Sequence, residues 1–516
     1  MKNDKQKTLR LILGDQLNIN HSWFKLVDNT VTYVLMEIRT ETDYAKHHIQ
    51  KVIGFFAAMQ NFAKELQEKK HQVIYIYLND ENNLQRFDLN CAKLIEQHKF
   101  TKFEHQLPDE YRVDQHLKQF TTTLKIASGK IDTEHFYSSR NELQDLFEGK
   151  KMYLMETFYR HMRKKHKVLI TNDNKPLHDK WNFDEDNRKK LPKDHNPISP
   201  FIFNNNVSHI ENELLKANIK TIGLVDSKNF LWPINRTQSL ELLDFFVEHC
   251  LHLFGTYQDA MAPNEWSVYH SRLSFSLNVK LISPQEVVNK AIEAYTKNPD
   301  KIAYHQLEGF VRQIIGWREY MRGIYWSKMP QYSKLNYFEH TELLPLWFWT
   351  GKTKMNCLKN AISQSLNYAY AHHIQRLMIT GNFALLAGVH PDETDAWYLG
   401  IYIDAIEWVE ITNTRGMSQF ADAGIVGTKP YVSSASYINK MSSYCNGCFY
   451  DKTKKTGPKS CPFNSLYWNF YNRHENKLAN NPRISMMYNV WSKMKPEVKA
   501  EILEQANYYL NHINEL

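Results

Sequence analysis

The chain has 516 residues, more than a single hydrophobic core usually holds, so its length predicts two or more domains. Hydrophobic residues make up 42% of the chain and Gly and Pro are sparse, which excludes a disordered protein. No run of about 18 apolar residues occurs, and Asp15 interrupts the apolar stretch near the N-terminus, so we expect neither a membrane span nor a secretory signal. We therefore expect a cytoplasmic protein, whose six cysteines are thiols or ligands rather than disulfides.

The first part of the chain has the pattern of an α/β domain. Residues 9–13 are typical of a buried strand, and residues 31–38 and 73–78 are rich in the β-branched and aromatic residues that favour strands. Residues 44–69 have apolar positions at three- and four-residue spacing, which predicts a helix. Such strand–helix–strand units build a parallel, Rossmann-like sheet. Ligands bind these sheets at the carboxyl ends of the strands, which places at the rim of a predicted pocket Gly14, Asp15, Gln16 and Glu37.

The rest of the chain changes character twice. Residues 171–197 are charged, contain few aliphatic side chains and predict a long surface loop, which is usually either functional or disordered. From about residue 240 the strand signals nearly vanish, and the pattern predicts an all-α second half with helices over 285–296, 304–326, 357–380 and 495–513. We expect three units: an α/β domain over 1–135, a linker with the charged loop over 136–240, and an all-α domain over 241–516.

Four of the six cysteines have the spacing of a metal site. Cys445 and Cys448 form a C-x2-C pair, Cys461 follows after twelve residues, and Cys357 lies at the start of a predicted helix. Four thiolates hold either a [4Fe–4S] cluster or a tetrahedral zinc ion, and the spacing does not separate these two from each other or from a site without metal. The other two cysteines are expected to be buried apolar residues, Cys91 and Cys250.

Positive charge is concentrated near the C-terminus. The whole chain has a net charge of +8, and between residues 440 and 483 basic residues outnumber acidic ones by eight to two. Such an excess attracts phosphates, although a solvated basic surface has the same composition. The residues counted are Lys440, Lys452, Lys454, Lys455, Lys459, Arg473, Lys477 and Arg483, against Asp451 and Glu475.

Several segments of the helical half resemble the cryptochrome/photolyase family. Tyr257 followed by His270-Ser271-Arg272-Leu273-Ser274 is similar to the family's tyrosine and its Thr/Ser-Ser-x-Leu-Ser phosphate loop, and short hydroxyls with exposed amides before a helix bind a pyrophosphate. Trp317-Arg318-Glu319-Tyr320 resembles the family's Trp-Arg-Glu-Phe helix, whose arginine contacts the flavin. Residues 404–410 resemble the segment that runs along the isoalloxazine ring.

One branch of that family, the iron–sulfur bacterial cryptochromes and photolyases, resembles nearly the whole chain. The shared features are LILGDQL at the start, the NRK loop around Arg188, AHHIQRLMITGNFALL and the cysteine spacing. The resemblance implies FAD in the helical domain, on Tyr257, His270, Ser271, Leu273, Ser274, Arg318, Asp404 and Glu410. It implies a [4Fe–4S] cluster on Cys357, Cys445, Cys448 and Cys461. It also implies a 6,7-dimethyl-8-ribityllumazine antenna in the N-terminal domain, near Asp15, Gln16 and Glu37.

The sequence departs from the common photolyases beside the flavin. Glu410 falls where they place an asparagine that faces flavin N5. A carboxyl group can exchange a proton with N5, whereas an amide cannot usefully do so. The departure leaves open which redox states of the flavin accumulate in this chain.

The resemblance implies light-driven repair of UV-damaged DNA. Repair members of the branch act on pyrimidine (6-4) photoproducts, for which the protein must hold the flipped lesion near the photoexcited reduced flavin and supply a proton. His372 and His373 are adjacent on a predicted helix, so their side chains diverge by about 100° and only one is expected to face the lesion. By the resemblance we predict His373 as the acid, with His372 in support.

Other aromatic and basic residues are candidates for supporting roles. Three are candidate steps for photoreduction of the flavin, although each is equally an ordinary core aromatic: Trp349, Trp397 and Tyr398. Three more are expected to contact the damaged DNA, with core packing or a solvated loop as the alternative: Arg188, Tyr431 and Tyr437.

Three functions therefore compete. The first is a monomeric bacterial (6-4) DNA photolyase, a lyase that associates with the nucleoid when bound to DNA. The second is a blue-light-sensing cryptochrome with the same cofactors and little or no repair. The third is a zinc-stabilised nucleic-acid-binding protein without flavin. The two adjacent histidines and the basic region over 440–483 favour the first.

Overall fold

Five parallel strands form one sheet near the N-terminus: β1 (Thr8–Leu11), β2 (Val31–Met36), β3 (Gln72–Ile76), β4 (Lys102–Gln106) and β5 (Ala127–Ile131). The computed structural model describes residues 6–150 and 152–516. The strand order is β3-β2-β1-β4-β5, so the order reverses between β1 and β4. The crevice at such a reversal is where open α/β sheets bind ligands.

The sequence predicted the central strands better than the edge. The strands expected at 9–13, 31–38 and 73–78 are confirmed as β1, β2 and β3 within two residues at each end. β4 and β5 were missed, because Lys-Phe-Glu-His-Gln and Ala-Ser-Gly-Lys-Ile lack the apolar run of a buried strand. Both owe their strand conformation to pairing along the sheet.

Helices cover the sheet and continue into the linker. The helix expected at 44–69 is confirmed over Ile49–Glu68. The charged loop at 171–197 contains only two short 3-10 turns, as expected of a surface loop. The helices of this part are α1 (Arg39–Thr42), α2 (Ile49–Glu68), α3 (Phe87–His98), α4 (Tyr111–Thr123), α5 (Glu142–Leu146), α6 (Met155–His166) and α7 (Ser208–Lys216).

The second half is helical, as predicted. Its first group comprises α8 (Arg236–Phe245), α9 (Leu251–Tyr257), α10 (Ser274–Asn278), α11 (Pro284–Lys297), α12 (Tyr304–Val311), α13 (Glu319–Lys328), α14 (Asn356–Tyr368) and α15 (His373–Gln375). Its second group comprises α16 (Asn382–Ala387), α17 (Pro391–Ile401), α18 (Glu407–Ile411), α19 (Ala435–Met441), α20 (Pro462–Arg473), α21 (Glu475–Leu478), α22 (Ser485–Ser492) and α23 (Pro496–Asn511). π-Helical turns extend four of these helices, over Phe246–Cys250, Arg312–Arg318, Arg376–Gly381 and Thr412–Ser418.

One predicted helix is broken. The pattern predicted a continuous helix over 357–380, but α14 ends at Tyr368 and Ala369 is left-handed, with φ of 52°. The Ala369 carbonyl accepts a hydrogen bond from the Ile403 amide at 2.9 Å, so a tertiary contact replaces the helical one. His372 is therefore extended, with φ −73° and ψ 162°, and His373 begins α15. The expectation that both histidines lie on one helix was wrong.

The sheet and the helical half share a core. α2 packs on the sheet with one face and on the helical half with the other, and both faces are buried. At Gly54 a Cβ atom would lie 3.2 Å from the side chains of Ile403 and Phe275, so the two halves are closely packed at this glycine. Across the described residues, none of the helices combines the length and apolar character that crossing a membrane requires.

Candidate active site

A cavity of about 120 Å³ opens at the carboxyl ends of β1 and β4, where the strand order reverses. We call it the sheet cavity. Apolar side chains of α2 form one wall, and residues 406 and 407 of the helical half form another. Its polar lining consists of Asp15, Glu41, Thr42, Tyr44, His47, Lys51, Asp109, Glu110 and Glu407.

Of the three residues expected to bind an antenna, only Asp15 lines the sheet cavity. Gln16 is fully buried and accepts a hydrogen bond from the Leu13 amide at 3.1 Å, which shapes the turn after β1. The Glu37 carboxylate accepts hydrogen bonds from Gln60, from the Tyr75 hydroxyl and from the Leu78 amide at 2.7–3.0 Å. Gln16 and Glu37 therefore anchor the strand ends around the cavity.

Buried charges connect the sheet cavity to the helical half. Lys280, which is 1% exposed, lies 2.8 Å from the Asp109 carboxylate and 3.2 Å from that of Asp15. Burial alone would raise the pKa of Asp109, but Lys280, Arg322 and Arg140 outweigh it and lower that pKa to about 2. Lys280, Arg322 and Arg140 lie outside the motifs that we identified, and no sequence pattern predicted that they would meet Asp109.

Two further groups of the sheet cavity titrate near neutral pH. Burial raises the pKa of Glu110 to about 8, against the opposing effect of Arg112. Burial lowers the pKa of Lys51 to about 8, although Glu110, Asp404 and Glu410 favour its charged form. Lys51 is therefore within electrostatic reach of both the sheet cavity and the residues expected at the flavin.

Asp404 organises the region where the flavin is expected, which we call the Asp404 cluster. Its carboxylate accepts a hydrogen bond from the Ser274 hydroxyl at 2.6 Å and pairs with Arg376 at 3.0 Å. Its backbone carbonyl accepts from the Asn278 amide at 2.7 Å. Asn278 in turn accepts from Arg318 at 3.4 Å. The structure thus brings Ser274, Arg318 and Asp404 together, as the motifs predicted.

Arg318 is buried and only partly paired. Burial lowers its pKa to about 10, and its guanidinium lies over the rings of Phe136 and Trp408 at 4.8 and 5.1 Å. Its Nε and Nη1 atoms have no hydrogen-bond partner among the described residues. A buried cation with unused donors is stabilised by an acceptor-rich or anionic ligand, so this cluster fits a flavin dinucleotide.

The remaining residues of the phosphate-loop motif lie beside the cluster. Tyr257 stacks on Tyr269 at 5.8 Å, next to His270. Ser271 accepts a hydrogen bond from the Leu273 amide at 3.4 Å, and the Leu273 side chain is buried in the core.

Glu410 is buried and interacts with other acids. Burial and the nearby Asp395 raise its pKa well above the ordinary value, while a hydrogen bond from Thr414 and the charges of Lys51 and Arg376 oppose the rise. The environment of Glu410 therefore favours its protonated form.

Three histidines meet beside Arg376, a residue that the motif contained but that we did not single out. The rings of His270 and His372 stack at 4.6 Å with an angle of 10°. Neither ring nitrogen of His372 has a hydrogen-bond partner within the described chain. The His373 side chain is exposed, yet protein surrounds it, as expected of a residue that lines a deep recess. Burial, Arg376 and Arg188 lower the pKa of His373 to about 4.

The charged loop closes this recess. The amides of Arg188 and Lys189 donate to the carbonyls of Gly255 and Thr256 at 3.2 and 2.7 Å. A Cβ on Gly255 would lie 2.6 Å from the Asn187 amide, so the loop requires glycine there. The loop is therefore docked on α9 rather than merely solvated.

Arg188 joins the predicted substrate residues into one surface, the helical recess, which is lined by Arg188, His373, Tyr431 and Tyr437. Its guanidinium is half exposed and acts on the pKa of His373 and of both tyrosines. Asp184 at 2.9 Å and Asp259 at 3.7 Å hold it in place. The sequence did not indicate Asp259.

Two of the three photoreduction candidates are adjacent. Trp397 and Tyr398 are buried with ring centroids 5.2 Å apart, and Phe348 packs on Trp397 at 5.1 Å. Trp349 is 36% exposed and lies 5.6 Å from the Lys46 ammonium. The Tyr398 hydroxyl donates to the Arg376 carbonyl at 2.7 Å, which ties this pair to the Asp404 cluster.

The four candidate ligand thiols converge although they are far apart in sequence. Burial raises the pKa of Cys357 well above its ordinary value, and the charges of Cys461, Cys445 and Cys448 raise it further. None of the four is in a disulfide. Over the described ranges, no three His, Cys, Asp or Glu side chains stand in the geometry of a metal site. The donor chemistry fits a four-thiolate centre, whereas the coordination geometry itself is not formed.

Comparison with known proteins gives concordant results. The family described as deoxyribodipyrimidine photo-lyase-related protein matches residues 10–230. A (6-4) photolyase from Agrobacterium fabrum (strain C58 / ATCC 33970) is 39% identical over 512 residues, which cover 98% of this chain and 99% of the relative.

Two solved structures share the fold. A bacterial class III photolyase from Agrobacterium tumefaciens has a TM-score of 0.58 at 12% identity and covers 95% of this chain and 98% of its own. A cryptochrome from Synechocystis sp. PCC6803 has a TM-score of 0.59 at 13% identity and covers 96% and 100%. Since identities this low show the fold alone, the 39% relative decides the family. The chain belongs to the cryptochrome/photolyase family.

Proposed function

We propose that this chain repairs pyrimidine (6-4) photoproducts in DNA by a light-driven reaction. The observation that carries the proposal is the helical recess, where His373, Arg188 and two tyrosines meet beside the Asp404 cluster. A relative with the same length and 39% identity is itself named a (6-4) photolyase.

FAD, which membership of the family implies, would be held by the Asp404 cluster. When bound and reduced, it supplies a light-driven electron to the lesion. Arg318 offers two buried donors without hydrogen-bond partners to an anionic or acceptor-rich ligand, although Glu319 lies 3.8 Å from one of them. Arg376 and Ser274 fix the Asp404 carboxylate from two sides, so that it keeps one orientation. Glu410, whose pKa is raised by burial and by Asp395, would hold a proton near the ring of the cofactor.

The helical recess would receive the flipped lesion. Tyr431 and Tyr437 present half-buried rings on which a base stacks, and Arg188 presents a half-exposed cation to a phosphate. His373 would transfer its proton to the lesion, with His372 fixed behind it by the stack on His270.

The lowered pKa of His373 makes proton supply depend on the substrate. At a pKa of about 4 the imidazole is neutral at pH 7 in the DNA-free protein. A DNA phosphate paired with Arg188 would offset one of the two cations that disfavour the imidazolium. The pKa of His373 would therefore rise when damaged DNA binds.

The four converging thiols would hold a [4Fe–4S] cluster. Cys357 comes from the start of α14, whereas the other three lie about ninety residues later in the chain. A cluster on these ligands would therefore cross-link α14 to the loop before α20.

The sheet cavity would hold the ribityllumazine antenna. It lies at the strand reversal and touches residues 406 and 407, which belong to the segment expected along the flavin. A chromophore bound there would lie beside the helical half and would transfer its excitation energy to the flavin expected in that half. Tyr44 and Lys51 line the cavity and are better test positions than Glu37, whose carboxylate is fully used in the structure.

The direct test is light-dependent repair of defined oligonucleotides. Purified protein is incubated with duplexes that carry one (6-4) photoproduct or one cyclobutane dimer, with a dark sample as the control. We expect restoration of the (6-4) duplex under blue light only. A protein that carries FAD and binds the damaged duplex but restores neither lesion would support the light-sensing alternative instead.

A further inference from the structure

A second groove lies beside the helical recess, between α19, α20 and the loop at 451–460. We call it the basic groove. Its volume is about 340 Å³. Its lining residues are Ser434, Ala435, Ser436, Asn439, Lys452, Thr453, Lys455, Asn464, Tyr467 and Trp468.

The chemistry of the lining suits phosphate. Lys452 and Lys455 are the cations among the described lining residues, and no residue of that lining carries a carboxylate. The hydroxyl group of Ser436 and the side-chain amide of Asn439 add neutral hydrogen-bond donors, whereas the Thr453 hydroxyl donates to Asp451 at 2.7 Å. Such a set recognises a phosphodiester backbone without reading the bases.

The groove is held rigidly by one asparagine. The Asn464 side-chain amide donates to the carbonyls of Lys452 and Lys454 at 2.9 and 2.8 Å, and its oxygen accepts from the Ala435 amide at 3.1 Å. The loop is closed on itself, because the Asp451 amide donates to the Lys459 carbonyl at 2.7 Å. The two lysines are therefore carried on a fixed loop.

Lys190 of the charged loop places the groove next to the helical recess. Lys190 donates to the Asn439 carbonyl at 3.1 Å, and Lys452 of the groove donates to the Asn439 side chain at 2.7 Å. On α19, Tyr437 and Asn439 are two residues and therefore about 200° apart, so the recess and the groove lie on opposite faces of this helix. A DNA strand that leaves the recess would reach the groove past Lys190.

We propose that the basic groove binds backbone phosphates of the lesion-bearing DNA strand outside the helical recess. Lys452 and Lys455 supply the positive charge for two such contacts. The proposal rests on the proposed function only in naming the lesion-bearing strand as the ligand. Binding of DNA phosphates in the groove does not itself require a lesion.

The test is the salt dependence of binding to undamaged and damaged duplexes. We compare the wild type with Lys452→Ala/Lys455→Ala and with the control pair Lys118→Ala/Lys125→Ala, which removes the same charge from exposed positions of the N-terminal half. Loss of two phosphate contacts lowers the slope of log affinity against log salt by about 2. When the salt concentration rises from about 50 to about 200 mM, the factor by which affinity falls should therefore be about tenfold smaller for the groove variant than for the wild type.

A second variant distinguishes loss of DNA binding from loss of folding. Lys455 is exposed, so Lys455→Glu should keep the thermal midpoint of the wild type yet weaken binding of undamaged duplex at low salt. Binding by both groove variants that matches the control pair in affinity and slope would overturn the proposal. Weaker binding by the groove variants, in a protein that repairs no (6-4) lesion, would uphold the groove and refute the proposed function.

Discussion

The sheet cavity and the helical recess are lined by charges of opposite sign. Carboxylates dominate the polar lining of the sheet cavity, with Lys51 and the buried Lys280 as partial compensation. Arg188 and Arg376 dominate around His373 in the recess. The cavity therefore favours a donor-rich ligand without phosphate, and the recess favours a polyanion. One chain separates two ligands of different chemistry by electrostatics as well as by shape.

The largest expected effect comes from the four-thiol centre, because a cluster bound there would stabilise the helical half and not the sheet. We expect Cys448→Ala to lose iron and to expose residues 445–461 to proteolysis, since structural four-ligand centres contribute on the order of 10 kcal/mol. Cys250→Ala is the control, a buried thiol with no role at the centre, and should cost only about 1 kcal/mol. Iron per chain and limited proteolysis are the measurements. A stable, fully active Cys448→Ala protein would show that the centre is not structural.

The Asp404 cluster gives the next largest effect. Asp404→Ala leaves the part-buried Arg376 without its carboxylate, which should destabilise the helical half by about 3 kcal/mol and abolish FAD retention. Asp392→Ala removes an exposed carboxylate from Arg415, which keeps Asp395, and should change little. Thermal unfolding and flavin absorbance per chain report both effects. Full flavin content in Asp404→Ala would place the cofactor elsewhere.

The sheet side should be sensitive to acid through Asp109. Its folded pKa of about 2 lies below the ordinary value, so its stabilising contribution is complete above pH about 4 and is lost as the pH falls through 2. The contribution is about 2 kcal/mol. Asp109→Asn should lower the urea midpoint at pH 6, and its difference from the wild type should shrink towards pH 2. A difference that does not change with pH would exclude the ionised Asp109 as its source; Asp145→Asn, at an exposed site, is the control.

Arg188 should have the smallest effect, because it is half exposed and screened by solvent. Since its charge lowers the pKa of His373, Arg188→Ala should raise that pKa by less than about one pH unit. The shift is expected in the DNA-free protein, where no phosphate offsets the charge of Arg188, and an NMR titration of the His373 imidazole measures it. Lys189→Ala, one residue away in the loop, is the matched control. An unchanged or opposite shift would separate Arg188 from the titration of His373.

The two regions also differ in how far the sequence predicts them. The strand pattern located the sheet cavity, because β1 carries an apolar run and ligands bind at strand ends. It did not predict Glu110, which follows the missed strand β4, or Lys280, whose proximity to Asp15 depends on how the two halves pack. The division into units at 135 and 240 stays a prediction.

Predicting the residues of the helical recess required the resemblance to a known family as well as the residue pattern of this chain. Its lining comes from segments more than 180 residues apart, and periodicity carries no signal for such contacts. The break at Ala369 moved His372 off the helix because a buried bond to Ile403 outweighed helix propensity. Arg376 was hidden within a helical motif, and only its contacts with Asp404 and the histidines reveal its role.

The central claim is that His373 in the helical recess supplies the proton for repair. The most direct measurement is the number of (6-4) photoproducts restored per absorbed photon by the wild type and by His373→Ala, at saturating damaged duplex. We predict a fall of about 10² to 10⁴-fold in His373→Ala, while its affinity for the duplex stays within about twofold and the flavin content is unchanged. Equal yields from the two proteins would contradict the account.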